Sequence, residues 1–143
     1  MRYNRLFKDN NFLTPTTYTQ ELSEYAANLK FEDIPPEVVE RAKMIMLQTI
    51  GVALGAKGTP IYDKALRMAR EANGGDGGAV TMWGTGGKLS AINAALALGT
   101  AADALDWEDC SWTGHPSAGI IPCAWLASEE RHKSGKDLIT AIV

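Results

Sequence analysis

Pro35-Pro36-Glu37-Val38-Val39-Glu40-Arg41-Ala42-Lys43-Met44-Ile45-Met46-Leu47-Gln48-Thr49-Ile50-Gly51-Val52-Ala53-Leu54-Gly55 is the stretch on which the fold reading turns. Proline is at home in a first helical turn, where its missing N–H leaves nothing unpaired. Val38, Val39, Ala42, Ile45, Met46, Thr49, Ile50 and Ala53 then recur at helical spacing and make a wide apolar face. Glu37, Glu40, Arg41 and Lys43 supply the wet side. From Gly51 the pattern turns apolar all round, which predicts a buried end, with Gly55 and Gly58 as stops.

The same pattern extends in both directions. Upstream, Thr17 or Thr19 can cap a helix carrying Leu22, Tyr25, Ala26 and Leu29 on one face, with Glu21 suited to its positive end. Downstream, Thr59-Pro60 opens a helix through Ala72 with Ile61, Ala65, Leu66, Met68 and Ala69 as its apolar members; Asn73 to Gly78 is a turn signal. Ala79 to Trp83 reads as an extended segment or a small strand. Ser90 caps a helix from Ala91 to about Leu105, built of small, closely packable residues. Pro116-Ser117 starts a helix to about Arg131, with Cys123 read as core and His132 as surface; Lys136 to Val143 begins one more. Five or six helices and almost no sheet predict an all-α domain over 17–143. Residues 1–16 read as a loose leader without the apolar core of a signal peptide. The run Leu138–Val143 is still apolar where the chain stops, so the end reads as a cut, and these residues are expected to lack a full partner. The apolar faces of 38–54 and 91–105 are expected to form one core.

Composition narrows the classes. The 143 residues are 45% hydrophobic and 22% charged, which excludes a disordered tail, a collagen-like fibre and a disulfide scaffold. The net charge of -3 argues against a nucleic-acid partner, which would call for a basic chain. No apolar stretch reaches membrane-spanning length, so no membrane partner is expected. Cys110 and Cys123 form neither a CxxC pair nor a framework, and a reduced, cytoplasmic protein is the simplest reading.

Two segments invite chemistry. Gly84-Thr85-Gly86-Gly87-Lys88-Leu89-Ser90 resembles a phosphate loop but fails it: Leu89 stands where Ser or Thr is needed, and Met82 where Gly is needed. Residues 103–115 gather Asp103, Asp106, Glu108, Asp109, Cys110 and His115 after a small-residue helix. Trp107 and Trp112 bring large apolar surface to this loop, unusual if it is merely solvated. Asp103 and Asp106 sit at a helix end whose dipole disfavours negative charge, a cost typical of functional sites. His115 stands at the mouth of the next helix, where free N–H groups favour an anion and the neutral imidazole. It reads either as a base or donor, or as a residue that only shapes the helix start. Asp106, Asp109, Cys110 and His115 could also supply metal ligands, although their spacing matches no zinc or calcium motif. No Lys or Arg occurs between Lys88 and Arg131, so cations for an anionic substrate must come from elsewhere.

From about Tyr18 to Val143 the sequence resembles the start of the MmgE/PrpD family. The resemblance rests on Leu29-Lys30-Phe31-Glu32-Asp33-Ile34-Pro35-Pro36-Glu37-Val38-Val39, Thr49-Ile50-Gly51-Val52-Ala53-Leu54-Gly55, Trp83-Gly84 and Ser90-Ala91-Ile92-Asn93-Ala94-Ala95-Leu96-Ala97. Ala104-Leu105-Asp106-Trp107-Glu108-Asp109, His115-Pro116-Ser117 and Ser134-Gly135-Lys136-Asp137-Leu138 complete it. It implies a helical bundle corresponding to the N-terminal part of the family's large domain, a lid from later sequence, and usually a homodimer. It implies dehydration, decarboxylation or epimerisation next to a carboxylate of a small di- or tricarboxylate, with no metal or organic cofactor. Asp106 and His115 match family active-site positions: Asp106 as orienting or proton-handling, His115 as acid/base or substrate-binding. Asp109, Cys110 and Ser117 are the substrate-binding candidates. Three departures stand out: Asp103 where the family commonly has His, Cys110 where it has Thr, and Leu98 where Asn often precedes the Gly. Family members are also much longer, and their substrate-binding lysines lie beyond residue 143. The competing reading is a truncated, non-catalytic helical association module.

Overall fold

The computed structural model describes residues 17–111 and 114–143; the leader expected over 1–16 and the indole of Trp112 lie outside the described residues. The order is α1 (Tyr18–Asn28), a 3₁₀ turn (Phe31–Asp33), α2 (Pro36–Gly55), α3 (Pro60–Asn73), β1 (Val80–Thr81), β2 (Lys88–Leu89), α4 (Ala91–Asp103), α5 (Pro116–Glu130) and α6 (Gly135–Ile142). The architecture is all-α, as the periodicity predicts.

Local chemistry sets most boundaries. Thr17 caps α1 in a reciprocal box with Gln20, and Thr59 accepts the Tyr62 N–H at the start of α3. Gly74 ends α3 in the left-handed region, φ 78°. Ser90 occupies the N-cap of α4 without a side-chain cap bond; its own N–H donates to Asn73 Oδ1 at 3.0 Å. Ser134 and Asp137 form a second box at α6. Hydrogen bonds from the Ser134 backbone and hydroxyl hold the Asp137 carboxyl below its ordinary 3.8. A backbone N–H and the Lys136 ammonium hold Glu32 below 4.5. A lowered folded pKa gives stabilisation that is present above the unfolded value and lost as pH falls through the folded one. NMR titration should therefore find both midpoints below those values, with the start of α6 loosening only in more acidic solution.

Helix α4 is the central element, packed against α2, α3 and α5. Ala94, Ala97, Leu98, Ala101 and Ala102 are its buried residues, spaced three and four apart. Small side chains on that face let neighbouring helices approach closely. Ala53, Ala56, Tyr62, Leu66, Ala69, Ala118 and Leu126 complete this core with the hairpin residues Val80, Met82 and Leu89. A second cluster joins Ile34, Val39 and Ala42 to Ile139.

Several expectations are corrected. The face of α2 is divided between two clusters, because a 20-residue helix outruns α4 and its first turns meet the 3₁₀ turn and α6. Ile139 is buried there, while Val143 stays 39% exposed, so the run Leu138–Val143 finds a partner along one face only. Cys123 is exposed: α5 buries Ser117, Ala118, Ile121, Pro122 and Leu126, and position 123 falls on the opposite side. Leu22 and Tyr25 of α1 are exposed although they share a face. Lys88-Leu89, within the segment that resembles a phosphate loop, is a strand paired antiparallel with β1, Val80 opposite Leu89.

The hairpin is pinned from two sides. Thr81 donates its N–H at 3.1 Å and its hydroxyl at 2.7 Å to the Glu129 carboxylate on α5. Gly78 lies against the Leu89 carbonyl, where an added Cβ would come within 2.1 Å of backbone, and its φ of 143° excludes ordinary side chains. Gly78→Ala is expected to cost about 3 kcal/mol or more, combining backbone strain with displacement of β2. Urea denaturation at neutral pH should show it as a lowered midpoint.

Candidate active site

Helix α4 ends at Asp103, and the chain turns sharply at Asp106, whose φ of 55° is left-handed. Aspartate tolerates that region better than most residues. The backbone is tied back across the fold, Gln48 Nε2 of α2 donating to the Trp107 carbonyl at 2.8 Å. Ser111 and Gly114 then pair, with N···O distances of 2.9 and 3.2 Å, and return the chain to His115 at the N-cap of α5.

This path brings His115 between two carboxylates. Its Nε2 is 3.3 Å from Asp106 Oδ1, and its Nδ1 is 3.1 Å from Glu108 Oε1. The two acids differ sharply: the Asp106 side chain is 84% exposed and that of Glu108 0%. Glu108 Oε2 accepts the Trp107 N–H at 2.9 Å. Asp109 occupies the end of α5, its Oδ1 accepting the Ser117 N–H at 3.2 Å. The anion favoured at that helix mouth is therefore supplied by the chain itself.

Of the residues singled out from sequence, Asp106 and His115 are in contact, and Asp109 braces the helix beside them. Ser117 is buried, and its hydroxyl has no partner among the described residues. Cys110 is exposed on the loop. Trp107 is exposed, so its indole is not the cover its size suggested. Glu108 is the residue that sequence reasoning passed over. Nothing in a run of four acids marks which one turns inward.

A cleft of about 680 Å³ opens beside the pair, lined by Ile61, Gly99, Thr100, Asp103, Ala104, His115, Ala118 and Gly119. Pro122, lying inside α5, has no N–H for the Ala118 carbonyl four residues earlier. That carbonyl faces Gly99 of α4, where an added Cβ would sit 3.4 Å away. Glycine thus lets α4 and α5 run close at the cleft wall. Half-exposed His115 lines this cleft and can exchange protons with a ligand there, while exposed Asp106 and buried Glu108 flank its imidazole.

Residues 20–143 match the profile described as the MmgE/PrpD N-terminal domain. The chain belongs to the MmgE/PrpD family. It is similar to a cis-aconitate decarboxylase of Aspergillus terreus, 29% identical over 122 residues, covering 84% of this chain and 24% of the relative. It is also similar to the cis-aconitate decarboxylase of Mus musculus, 25% identical over 130 residues, covering 86% of this chain and 26% of the relative. The chain thus spans about a quarter of the length of these MmgE/PrpD relatives. No solved structure matches it. No helix among the described residues is long and apolar enough to cross a membrane.

Proposed function

We propose that this domain serves a lyase acting next to a carboxylate of a small di- or tricarboxylate, with Asp106 and His115 handling the proton. The observation that carries the reading is the 3.3 Å approach of these two side chains, with His115 lining the cleft. They are nine residues apart in sequence and lie in an MmgE/PrpD domain whose relatives are named as decarboxylases. In a decarboxylation the C–CO₂ bond breaks, carbon dioxide leaves, and the electron pair stays on the adjacent carbon. That carbon takes a proton, which a group of this pair can deliver. Run the other way, the same pair removes a proton α to a carboxylate, the first step of a dehydration or an epimerisation.

Charge sets a condition on this proposal. Four acids within residues 103–115, in a stretch from 89 to 130 without Lys or Arg, repel a polycarboxylate. The balancing cations belong to sequence or chains outside this one, and a cytoplasmic homodimer is part of the same reading. The test is to incubate the full-length protein with cis-aconitate, 2-methylcitrate and related di- and tricarboxylates, following each by proton NMR. Consumption of one of them supports the proposal. A folded protein that leaves all of them unchanged overturns it and favours the non-catalytic association module.

A further inference from the structure

Glu108 is a buried titratable group outside the Asp106–His115 pair. Its side chain is 0% exposed. One oxygen is held in place: Oε2 accepts the Trp107 N–H at 2.9 Å, and the carbonyl of the same tryptophan accepts from Gln48 Nε2 of α2 at 2.8 Å. The other oxygen, Oε1, stands 3.1 Å from His115 Nδ1. The two atoms are not aligned as a hydrogen bond, and neither has a partner among the described residues. Leaving both so is costly where water cannot reach them. Catalytic hydrogen bonds are often poorly aligned in an unliganded site and tighten when a ligand arrives. A small turn of the imidazole would put an Nδ1–H on Oε1.

The ring stands between two carboxylates, and burial decides which of them receives its proton. A neutral imidazole has one N–H to give. Asp106, 3.3 Å from Nε2, has a side chain 84% exposed, so water can solvate its charge. The Glu108 carboxylate has no such recourse, and an unpaired charge costs far more in a buried site than in water. The proton of the neutral ring therefore belongs on Nδ1. Nε2 is left on the side of exposed Asp106, free to accept or deliver a proton.

We propose that Glu108 is the positioning residue of His115: its buried Oε1 accepts the Nδ1–H, fixes the ring and its tautomer, and makes Nε2 the nitrogen that exchanges protons. The hydrogen bond made by one ring nitrogen sets the state of the other. The catalytic consequence rests on the lyase reading; the tautomer does not. A proton taken up by Nε2 makes an imidazolium that Glu108 holds from behind. The same proton is delivered to the carbon that carbon dioxide has left, and the ring returns to its Nδ1–H form. Glu108 touches no substrate and keeps its charge throughout.

The tautomer is read first, without substrate, in the full-length protein carrying ¹⁵N-labelled histidine. The nitrogen shifts of the neutral ring report it, and loss of signals in His115→Gln identifies the residue. An Nδ1–H ring is expected, against the Nε2–H form that free histidine prefers. Glu108→Gln keeps the shape of the side chain. Its one carbonyl oxygen is claimed by the Trp107 N–H, which turns the NH₂ toward Nδ1. The ring should then switch to the Nε2–H form, and kcat on a responsive polycarboxylate should fall about 100- to 10,000-fold with KM nearly unchanged. A merely structural role would lower stability without switching the tautomer. An Nε2–H ring in the wild-type protein overturns the proposal, whether or not Glu108→Gln folds, and so does full kcat in Glu108→Gln. An Nδ1–H ring in a protein that turns over no polycarboxylate overturns the lyase reading instead and supports Glu108 as the residue that sets the ring.

Discussion

Asp106→Asn in the full-length protein is expected to lower kcat on a responsive polycarboxylate by about 100- to 10,000-fold, the range for losing a positioned acid or base. Asparagine is the informative replacement because residue 106 has φ 55°. Asparagine tolerates the left-handed region as aspartate does, whereas alanine would add backbone strain to the loss of the carboxylate. With its side chain 84% exposed, Asp106 contributes little to stability, so the melting temperature should hold while turnover falls. His115→Ala should lose turnover by a similar factor, but it also strips the neighbour from a fully buried carboxylate, Glu108. Leaving a buried carboxylate without its polar neighbour is destabilising, so a lower melting temperature accompanies this variant. His115→Gln, which keeps a polar group near Glu108, separates the two effects: turnover should stay low while much of the stability returns. Full turnover in Asp106→Asn or in His115→Gln would remove these residues from the chemistry.

The contrast between Asp106 and Glu108 shows what sequence reading can reach. Pro36, Thr59 and Pro116 announce helix starts because their effects are local: a fixed φ, a side-chain oxygen three residues from an N–H. The small-residue stripe of α4 is legible for a similar reason, since spacings of three and four report one helical face. Burial depends on what arrives from far along the chain. Gln48 holds the Trp107 carbonyl across 59 residues of sequence, and that anchor helps to fix a loop in which Glu108 is buried and Asp106 exposed. Nothing in the order Asp-Trp-Glu-Asp encodes this. The same limit explains Cys123, apolar in character but on the outer side of α5, and Leu89, whose strand pairing exists only because Val80 lies opposite. It also explains α6, whose apolar residues look unpartnered until the 3₁₀ turn brings Ile34 beside them.

Leu98 turns one family departure into a stability prediction. In this chain it is 1% exposed and packs within the main core with the buried alanines of α4, one residue before Gly99 at the α4–α5 contact. Leu98→Ala should cost about 2–5 kcal/mol, the transfer term plus the cavity left behind. Leu98→Asn, which restores the residue common in the family, should cost at least as much. It loses the same apolar burial and brings an amide that must find partners among neighbours such as Ala53, Ala94, Ala102 and Leu126. An amide buried there without a hydrogen bond adds about 1–3 kcal/mol. The cluster around Leu98 is apolar and suits leucine. Thermal unfolding checks the ordering, with a drop of roughly 10 °C expected for either variant and the asparagine no better than the alanine. Wild-type stability in Leu98→Asn would mean that a partner for the amide already exists in this core, and the departure would then report on substrate rather than on packing.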